Sequence, residues 1–170
     1  MSEISVLPVT DADVDAIVDL ARVVWYDTYP AIISRAQIEF MLAQRYDAAK
    51  IRSELTQAGV WWDQARIGQQ LVGFACSLSS ANSELKLDKI YVDPQHQGAG
   101  VGARLIGQVA ARARAAGCPT LILAVNKRNE RAIAAYRRHG FIVREAVCVD
   151  IGGGFVMDDF IMAKSLNTSC

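Results

Sequence analysis

Three glycines at alternate positions stand directly before a long helix-forming segment, and this feature constrains the fold more than any other in the chain. They lie in the stretch "GAGVG", residues 98–102, which follows a strand-like run, "LDKIYV", and a break at Asp93-Pro94. Glycine inside a helix costs roughly 1 kcal/mol relative to alanine. Free N–H groups at a helix start attract anions, and a missing Cβ lets a phosphate approach the backbone. The pattern predicts a phosphate-binding turn, with a packing turn as the alternative.

The composition is that of a globular protein without a strong charge. The chain has 170 residues, 52% of them hydrophobic, and its 18 basic residues balance 18 acidic ones. This length predicts a single domain over residues 1–170, and the balanced charge gives no reason to expect nucleic acid or a membrane surface as a partner. The N-terminus lacks a secretory signal, and no apolar stretch could span a bilayer, so we expect a cytoplasmic protein.

The cysteines give no sign of a metal site or a disulfide framework. They lie far apart, with no CxxC pair and no histidine at ligand spacing: Cys76, Cys118, Cys148 and Cys170. We therefore expect no bound metal.

Hydrophobic periodicity predicts elements in the order β-α-α-β-β-β-α-β-α-β-β. The second helical region, about residues 34–56, is expected to break near Tyr46-Asp47. The strand before the glycines and the strand at residues 120–125 flank the long helix and should form a parallel crossover. The fold class is mixed α/β (α+β), with a mixed central sheet of about seven strands flanked by about four helices.

A dinucleotide-binding fold is the first alternative for the glycine turn. Residues 98–103 fit the GxGxxA fingerprint, which requires glycines at the strand end and an acid at the tip of the next strand. Here residues 93–97 separate the strand from the glycines, and the strand at 120–125 ends without an acid. The nicotinamide or flavin hypothesis is therefore weak.

Two motifs in the correct order resemble the GNAT superfamily of N-acetyltransferases. "IYVDPQHQGAGVGARLI" is similar to its acetyl-CoA signature, Gln/Arg-x-x-Gly-x-Gly/Ala. "NERAIAAYRRHGF" resembles the downstream Asn-x-x-Ala-x-x-x-Tyr-x-x-x-Gly-Phe of the same family, and the element order also fits. The N-terminal "WYDTYPAIISRAQIEFML" is more like the small-amine or polyamine branch.

The resemblance implies that acetyl-CoA is the acyl-donor cosubstrate and assigns a role to each motif position. Backbone groups of the splayed strand would bind the pantetheine arm, the glycine turn would hold the pyrophosphate, Asn129 would bind the cofactor, and Tyr136 would protonate the departing thiolate. The implied cofactor-binding residues are Ile90, Tyr91, Val92, Gln97, Gly98, Ala99, Gly100, Val101, Gly102, Ala103 and Asn129. For Asn129 the alternative is a helix N-cap, a position for which Asn126 competes, and Asn126 either caps the helix or binds the cofactor. For Tyr136 the alternative is a core aromatic residue.

Neither motif supplies a general base for the reaction. A primary amine is mostly protonated at neutral pH and must lose a proton before it attacks. Many family members place a glutamate where this chain has Ala124. We therefore expect Glu84 or Asp88, on the preceding strand, to act as the base, with Asp158 and Asp159 as further candidates. An ordinary solvated carboxylate remains the alternative for each.

The predicted function is N-acetyl transfer from acetyl-CoA directly to a primary amine of a small molecule or peptide. A non-catalytic acyl-CoA-binding sensor or scaffold of the same fold is the alternative, favoured by the missing base and opposed by Tyr136. Trp25, Tyr26 and Tyr29 are candidates for the acceptor pocket or for core packing. The sequence identifies neither the acceptor nor the oligomeric state, for which a homodimer is the candidate.

Overall fold

A computed structural model describes residues 3–167 and contains one seven-stranded sheet. The strands are β1 (Ile4–Pro8), β2 (Val60–Ile67), β3 (Gln70–Ser79), β4 (Leu85–Val92), β5 (Thr120–Asn126), β6 (Ile142–Gly152) and β7 (Phe155–Ser165). The helices are α1 (Val14–Thr28), α2 (Arg35–Arg45), α3 (Ala48–Leu55), α4 (Val101–Ala115) and α5 (Glu130–Arg138). The predicted element order and the mixed α/β class are confirmed.

The second helical region divides into α2 and α3 where the sequence predicted a break. Ser34 caps α2 by accepting the N–H of Gln37, and Asp47 caps α3 by accepting the N–H of Lys50. Asp47 has extended backbone angles, which stop α2 and start α3. Two capped helices therefore replace one long helix.

The strands follow the spatial order β1-β2-β3-β4-β5-β7-β6. Within residues 3–167 the β4–β5 pair is parallel and every other pair is antiparallel. Helix α4 makes the connection between the two parallel strands. This is the crossover that the sequence predicted around the glycine turn.

The sheet buries a separate hydrophobic core on each face. Helices α1, α2 and α3 cover one face, where Ile17, Met41 and Phe74 are buried. Helices α4 and α5 cover the other face, where Leu105, Leu121 and Ile133 are buried. Each face of the sheet is therefore covered by its own helices and its own core.

The parallel strands separate soon after they meet. Their paired positions are Leu85 with Leu121 and Lys86 with Ile122, although both strands continue for several residues. On its other edge β4 stays paired with β3 as far as Val92, with an irregularity beside Asp88. The sheet is therefore split between β4 and β5, and the opening leads from one face to the other.

Helix α4 lies close against the sheet because two contacts fix it there. A Cβ added to Gly73 would come within 2.9 Å of Val101 Cγ1, so glycine allows this close approach. Near the other end of the helix, Arg112 donates through Nη1 and Nη2 to both carboxylate oxygens of Asp63, at 2.7 and 2.9 Å. These contacts hold the N-terminus of α4 beside the split in the sheet.

In the described part of the chain, Cys76, Cys118 and Cys148 are free thiols; Cys170 lies outside the described residues. Residues 3–167 contain no group of three His, Cys, Asp or Glu side chains placed to hold a metal ion. None of their helices combines the length and the apolar character needed to cross a membrane.

Candidate active site

A cleft of about 950 Å³ opens where β4 and β5 separate. Its walls come from both faces of the sheet. We call the part lined by Tyr29, Arg45, Lys86, Asp88 and Asp159 the α2 side. The part lined by the glycine turn, Asn129 and Tyr136 is the α4 side.

The glycine turn forms the entrance to α4. Gly98 and Gly100 have φ values of 83° and 89°, in the left-handed region where other residues are strained. The first backbone bond of α4 is donated by Arg104 to the Gly100 oxygen, so the preceding amides, 101–103, lack a helical acceptor. Because a Cβ at Gly98 or Gly100 would meet nothing within 4 Å, the turn is open to a ligand.

The unpaired edge of β4 continues the cleft toward the α2 side. Ile90, Tyr91 and Val92 line it, and their backbone groups on that edge have no strand partner, because the pairing with β5 ends at Lys86. Gln97 also lines the cleft. Of the cofactor-binding residues predicted from the sequence, Ala99 is the one that the lining does not include.

Asn129 has the capping position that the sequence left open. Its side chain accepts the N–H of Ala132 at 3.3 Å, as the N-cap of α5, and it also lines the cleft. Asn126 instead accepts the N–H of Arg128 at 2.9 Å and stabilises the preceding turn. Capping and cleft lining therefore coexist in Asn129, and its amide NH₂ group remains a donor.

Tyr136 lies two turns along α5 from Asn129 and also lines the α4 side of the cleft. Its ring packs edge-on against Phe141, with the ring centroids 5.9 Å apart. Burial raises the pKa of the Tyr136 hydroxyl above its ordinary value of 10.0. The phenol therefore stays protonated at neutral pH and can act as a hydrogen-bond donor.

Asp88 lies in the cleft wall, but cations surround its carboxylate. Lys89 Nζ donates to Oδ2 at 2.6 Å, Arg45 Nη2 lies 3.5 Å from the same oxygen, and Lys86 Nζ is 3.6 Å from Oδ1. Despite desolvation by burial, Arg45 and Lys89 lower the pKa of Asp88 to about 2. A carboxylate this acidic is a poor proton acceptor, which disfavours the base role predicted for Asp88.

Glu84 lies away from the cleft. Arg144 Nη1 donates to its Oε2 at 2.7 Å, and Nη2 is 3.3 Å from Oε1. Glu84 is absent from the residues that line the cleft. A carboxylate held by a bidentate arginine outside the cleft cannot reach a bound amine, which disfavours the base role predicted for Glu84.

The two neighbouring aspartates on β7 point in different directions. Asp158 is exposed and accepts a 2.6 Å bond from Lys127. Asp159 is 3% exposed and lines the cleft, and its carboxylate forms no ion pair within residues 3–167. Burial and the charge of Asp158 raise the pKa of Asp159, although Arg45 opposes the shift. Of the carboxylates predicted as bases, Asp159 has the properties that a proton acceptor needs.

The aromatic residues expected near the acceptor divide between the cleft and the surface. Trp25 and Tyr29 line the cleft, and the hydroxyls of Tyr29 and Tyr91 lie 2.9 Å apart. Tyr26 instead donates to Glu39 and packs near arginine side chains. The hydroxyl pair therefore bridges from α1 to β4 across the cleft wall.

Sequence reasoning missed Arg45, which ends α2 and donates to both the backbone oxygen and the carboxylate of Asp88. An arginine in the last turn of a helix is expected there for the helix dipole, so its position gives no signal of a site. It also missed Arg128, which donates to the backbone oxygens of Ala31 and Ile32 and ties the β5–α5 loop to the segment after α1.

A family model described as the acetyltransferase (GNAT) family matches residues 15–141, more than half of the chain. The chain belongs to the GNAT family. Both motifs of the sequence and the whole split between β4 and β5 lie within the matched residues.

Several GNAT relatives resemble the chain in sequence or structure. An uncharacterised N-acetyltransferase of Mycobacterium tuberculosis is 29% identical over 60% of this chain, and the match covers 65% of that relative's length. Spermidine N(1)-acetyltransferase of Thermoplasma acidophilum is 23% identical over 86% of this chain and 90% of its own length. The PaiA N-acetyltransferase structure from T. acidophilum, in complex with coenzyme A, has a TM-score of 0.83, at 23% identity, and covers 96% of this chain and 99% of that one.

Proposed function

We propose that the chain forms one N-acetyltransferase domain that moves the acetyl group of acetyl-CoA directly to a primary amine of a small molecule or peptide. The observation that carries this proposal is the split between β4 and β5, which has a phosphate-type turn and Tyr136 on one side and Asp159 on the other. A thioester in the split would meet an amine arriving from the opposite face. Direct transfer needs this two-sided access.

On the α4 side, the chain's own backbone would hold the cosubstrate. The free amides of residues 101–103 and the positive end of α4 favour a pyrophosphate at the glycine turn. The unpaired edge of Ile90, Tyr91 and Val92 offers hydrogen bonds to a pantetheine arm, as a strand would. The relative crystallised with coenzyme A supports this assignment.

On the α2 side, Asp159 would accept the proton of the incoming ammonium group. The neutral amine then attacks the thioester carbonyl carbon, forming a C–N bond, and the nitrogen of the tetrahedral intermediate gives its second proton to solvent. The C–S bond breaks as this intermediate collapses. The electron pair of the broken bond goes to sulfur, and Tyr136 gives its proton to the thiolate. The products are an N-acetyl amine and CoA, and solvent restores the two side chains.

The sensor alternative is less well supported. The sequence favoured a sensor because it offered no evident general base. Asp159 meets the requirements for a general base. A module that only binds acyl-CoA has no need of a buried, unpaired carboxylate, because burying one without a partner is costly.

The turn assignment is tested by two matched variants, Gly100→Val and Gly117→Val. Both glycines have positive φ, 89° and 75°, and a Cβ at either would meet nothing within 4 Å. They flank opposite ends of α4, so the backbone strain is similar, and only Gly100 faces the cleft. CoA at a hundredfold excess over its dissociation constant should stabilise the wild type and Gly117→Val by roughly 2.7 kcal/mol. Gly100→Val should lose this shift; equal shifts in both variants would contradict the assignment.

The reaction itself is tested by following free CoA with a panel of primary amines and with Tyr136→Phe. The phenylalanine ring keeps the packing against Phe141, so the melting temperature and the CoA affinity should stay nearly unchanged. Because the lost proton donor acts in the transition state, kcat should fall by roughly 10²–10⁴-fold. Wild-type protein that binds CoA but turns over no amine in the panel would favour the sensor.

A further inference from the structure

Three cations on the α2 side of the cleft share a single carboxylate as their ion-pair partner. Arg45, Lys86 and Lys89 all lie against the single carboxylate of Asp88. Asp159, further along the cleft, has no ion-pair partner among the residues described. Three positive charges therefore share one carboxylate as their ion-pair partner in the described part of the chain.

The three cations differ in how tightly they are already bound to neighbouring groups. Lys89 is buried, sits over the rings of Tyr46 and Trp62, and donates to Asp88 at 2.6 Å. Lys86 is one third exposed, and its contact with Asp88 is long, at 3.6 Å. Lys86 therefore lines the cleft with N–H donors that are free to bind a ligand. The ammonium group of Lys89 is already bound to Asp88 in the cleft wall.

Arg45 adds a second unsatisfied donor at the same place. Its Nη2 is shared between the backbone oxygen and the carboxylate of Asp88, and its Nε is buried without a partner in the described part of the chain. A buried donor left without an acceptor is costly. An anion beside Lys86 would supply negative charge next to cations that share one carboxylate.

The strand position of Lys86 is well separated from that of Asp159. Lys86 pairs with Ile122 on β5, whereas Asp159 pairs with Asn126, four residues further along the same strand. At about 3.3 Å per residue, this is roughly 13 Å along the sheet. A lysine side chain spans part of that distance, and a ligand of several bonds would span the rest.

We propose that the acceptor is an amine bearing a carboxylate several bonds from its reactive nitrogen, with the carboxylate held by Lys86 and Arg45 and the nitrogen facing Asp159. The proposal rests on the acetyl transfer proposed above and adds a substrate class to it. It also separates this chain from polyamine acceptors, because the second ammonium group of a polyamine would lie against uncompensated cations.

Three acceptors of equal chain length test this assignment: 6-aminohexanoate, hexylamine and 1,6-diaminohexane. They carry a carboxylate, a methyl group and a second ammonium group at the far end of a chain of six carbons. For the wild type, kcat/KM should be highest for 6-aminohexanoate, roughly tenfold above hexylamine, and lowest for 1,6-diaminohexane, because a charge-assisted hydrogen bond contributes about that factor.

The variant Lys86→Met should raise KM for 6-aminohexanoate roughly tenfold and leave kcat near its wild-type value, since the lost contact is the same in the ground and transition states. Hexylamine should be affected less than twofold. The matched control is Lys50→Met, an identical change at an exposed lysine on α3, outside the cleft. It should leave all three acceptors unaffected.

The outcomes that overturn this inference differ from those that overturn the proposed function. If 1,6-diaminohexane is the best of the three acceptors, or if Lys86→Met changes all three equally, the carboxylate assignment is wrong and acetyl transfer stands. If 6-aminohexanoate is inert while other amines are acetylated, the assignment is again wrong. If no primary amine is acetylated by protein that binds CoA, the proposed function fails, and the substrate class fails with it.

Discussion

Asp88 and Asp159 line the same cleft, yet their surroundings move their pKa values in opposite directions. Asp88 lies on β4 among Arg45, Lys86 and Lys89, which lower its pKa to about 2. Asp159 lies on β7 without an ion pair, and burial raises its pKa. Both are aspartates on strands of one sheet, so the difference comes from the neighbours alone.

The comparison distinguishes a carboxylate that stabilises the fold from one that is suited to accept a proton. Asp88 holds a cluster of cations together, and it can do so only while it stays charged. Asp159 is available to take a proton, and its charged form is disfavoured until it does. Proton-accepting power increases with pKa, so the unpaired carboxylate is the better base.

The largest effect expected from this comparison is a loss of turnover in the variant Asp159→Asn. Without a base, kcat should fall by roughly 10²–10⁴-fold, measured as CoA release at saturating acetyl-CoA. The same variant should be at least as stable as the wild type at pH 7. A raised pKa gives a stability contribution that is fully present below the unfolded value, about 3.9, and is lost as the pH rises through the folded value. The neutral amide avoids that loss.

Asp158→Asn provides the matched control, because it is the same substitution one residue away. Asp158 is exposed and paired with Lys127, so kcat should change less than twofold. If Asp158→Asn loses as much activity as Asp159→Asn, the electrostatic field of this end of β7 matters more than either carboxylate. The assignment of the base to Asp159 would then be wrong.

The second effect is on the stability of Asp88→Asn. Removing one partner of a buried ion pair costs about 3–5 kcal/mol, and here three cations lose their counter-charge. We therefore expect a large drop in the free energy of unfolding, measured by urea titration, while kcat per folded molecule stays within tenfold of the wild type. Full stability together with lost turnover would reverse the roles given to Asp88 and Asp159.

The sign of the pH dependence is also fixed for Asp88. Its folded pKa, about 2, is lower than the unfolded value, about 3.9, so its contribution is present above 3.9 and is lost as the pH falls toward 2. The stability gap between the wild type and Asp88→Asn should therefore narrow in that window. A gap that stays constant down to pH 2 would contradict the ion-pair explanation.

The third effect is on the pH dependence of kcat. Because Asp159 must be ionised to accept a proton, kcat should fall tenfold per pH unit below its raised pKa. The control is Asp88→Asn, which should keep this acid limb when kcat is expressed per folded molecule. Asp159→Asn should lack it. A limb that persists in Asp159→Asn would show that another group, or the amine itself, controls the rate.

Most of the fold could be predicted from the sequence because its signals are local. The positive φ of Gly98 and Gly100, the end of α4 at Gly117 and the break before Asp47 are each set by residues next to one another. The parallel crossover follows from the order strand, helix, strand. These features depend on backbone conformation within a few residues.

The charged part of the site could not be predicted in the same way. Arg45 meets Asp88 across 43 positions of sequence, and Glu84 meets Arg144 across 60. Strand alternation separates Asp158 from Asp159, but both faces of β7 are apolar, so the pattern does not tell which face opens to the cleft. Which carboxylate is paired and which is free depends on tertiary contacts.

The smallest effect should come from Glu84→Gln. Glu84 accepts two bonds from Arg144, whose side chain is 41% exposed, and such half-solvated pairs contribute about 0.2–1 kcal/mol. The change should thus lower the melting temperature slightly and leave kcat within twofold, across pH 6–9. Arg144→Gln removes the other partner of the same pair and should give the same small loss of stability. If Glu84→Gln lowers kcat most strongly at low pH while Arg144→Gln does not, Glu84 accepts the amine proton after all, and the contrast between Asp88 and Asp159 describes stability alone.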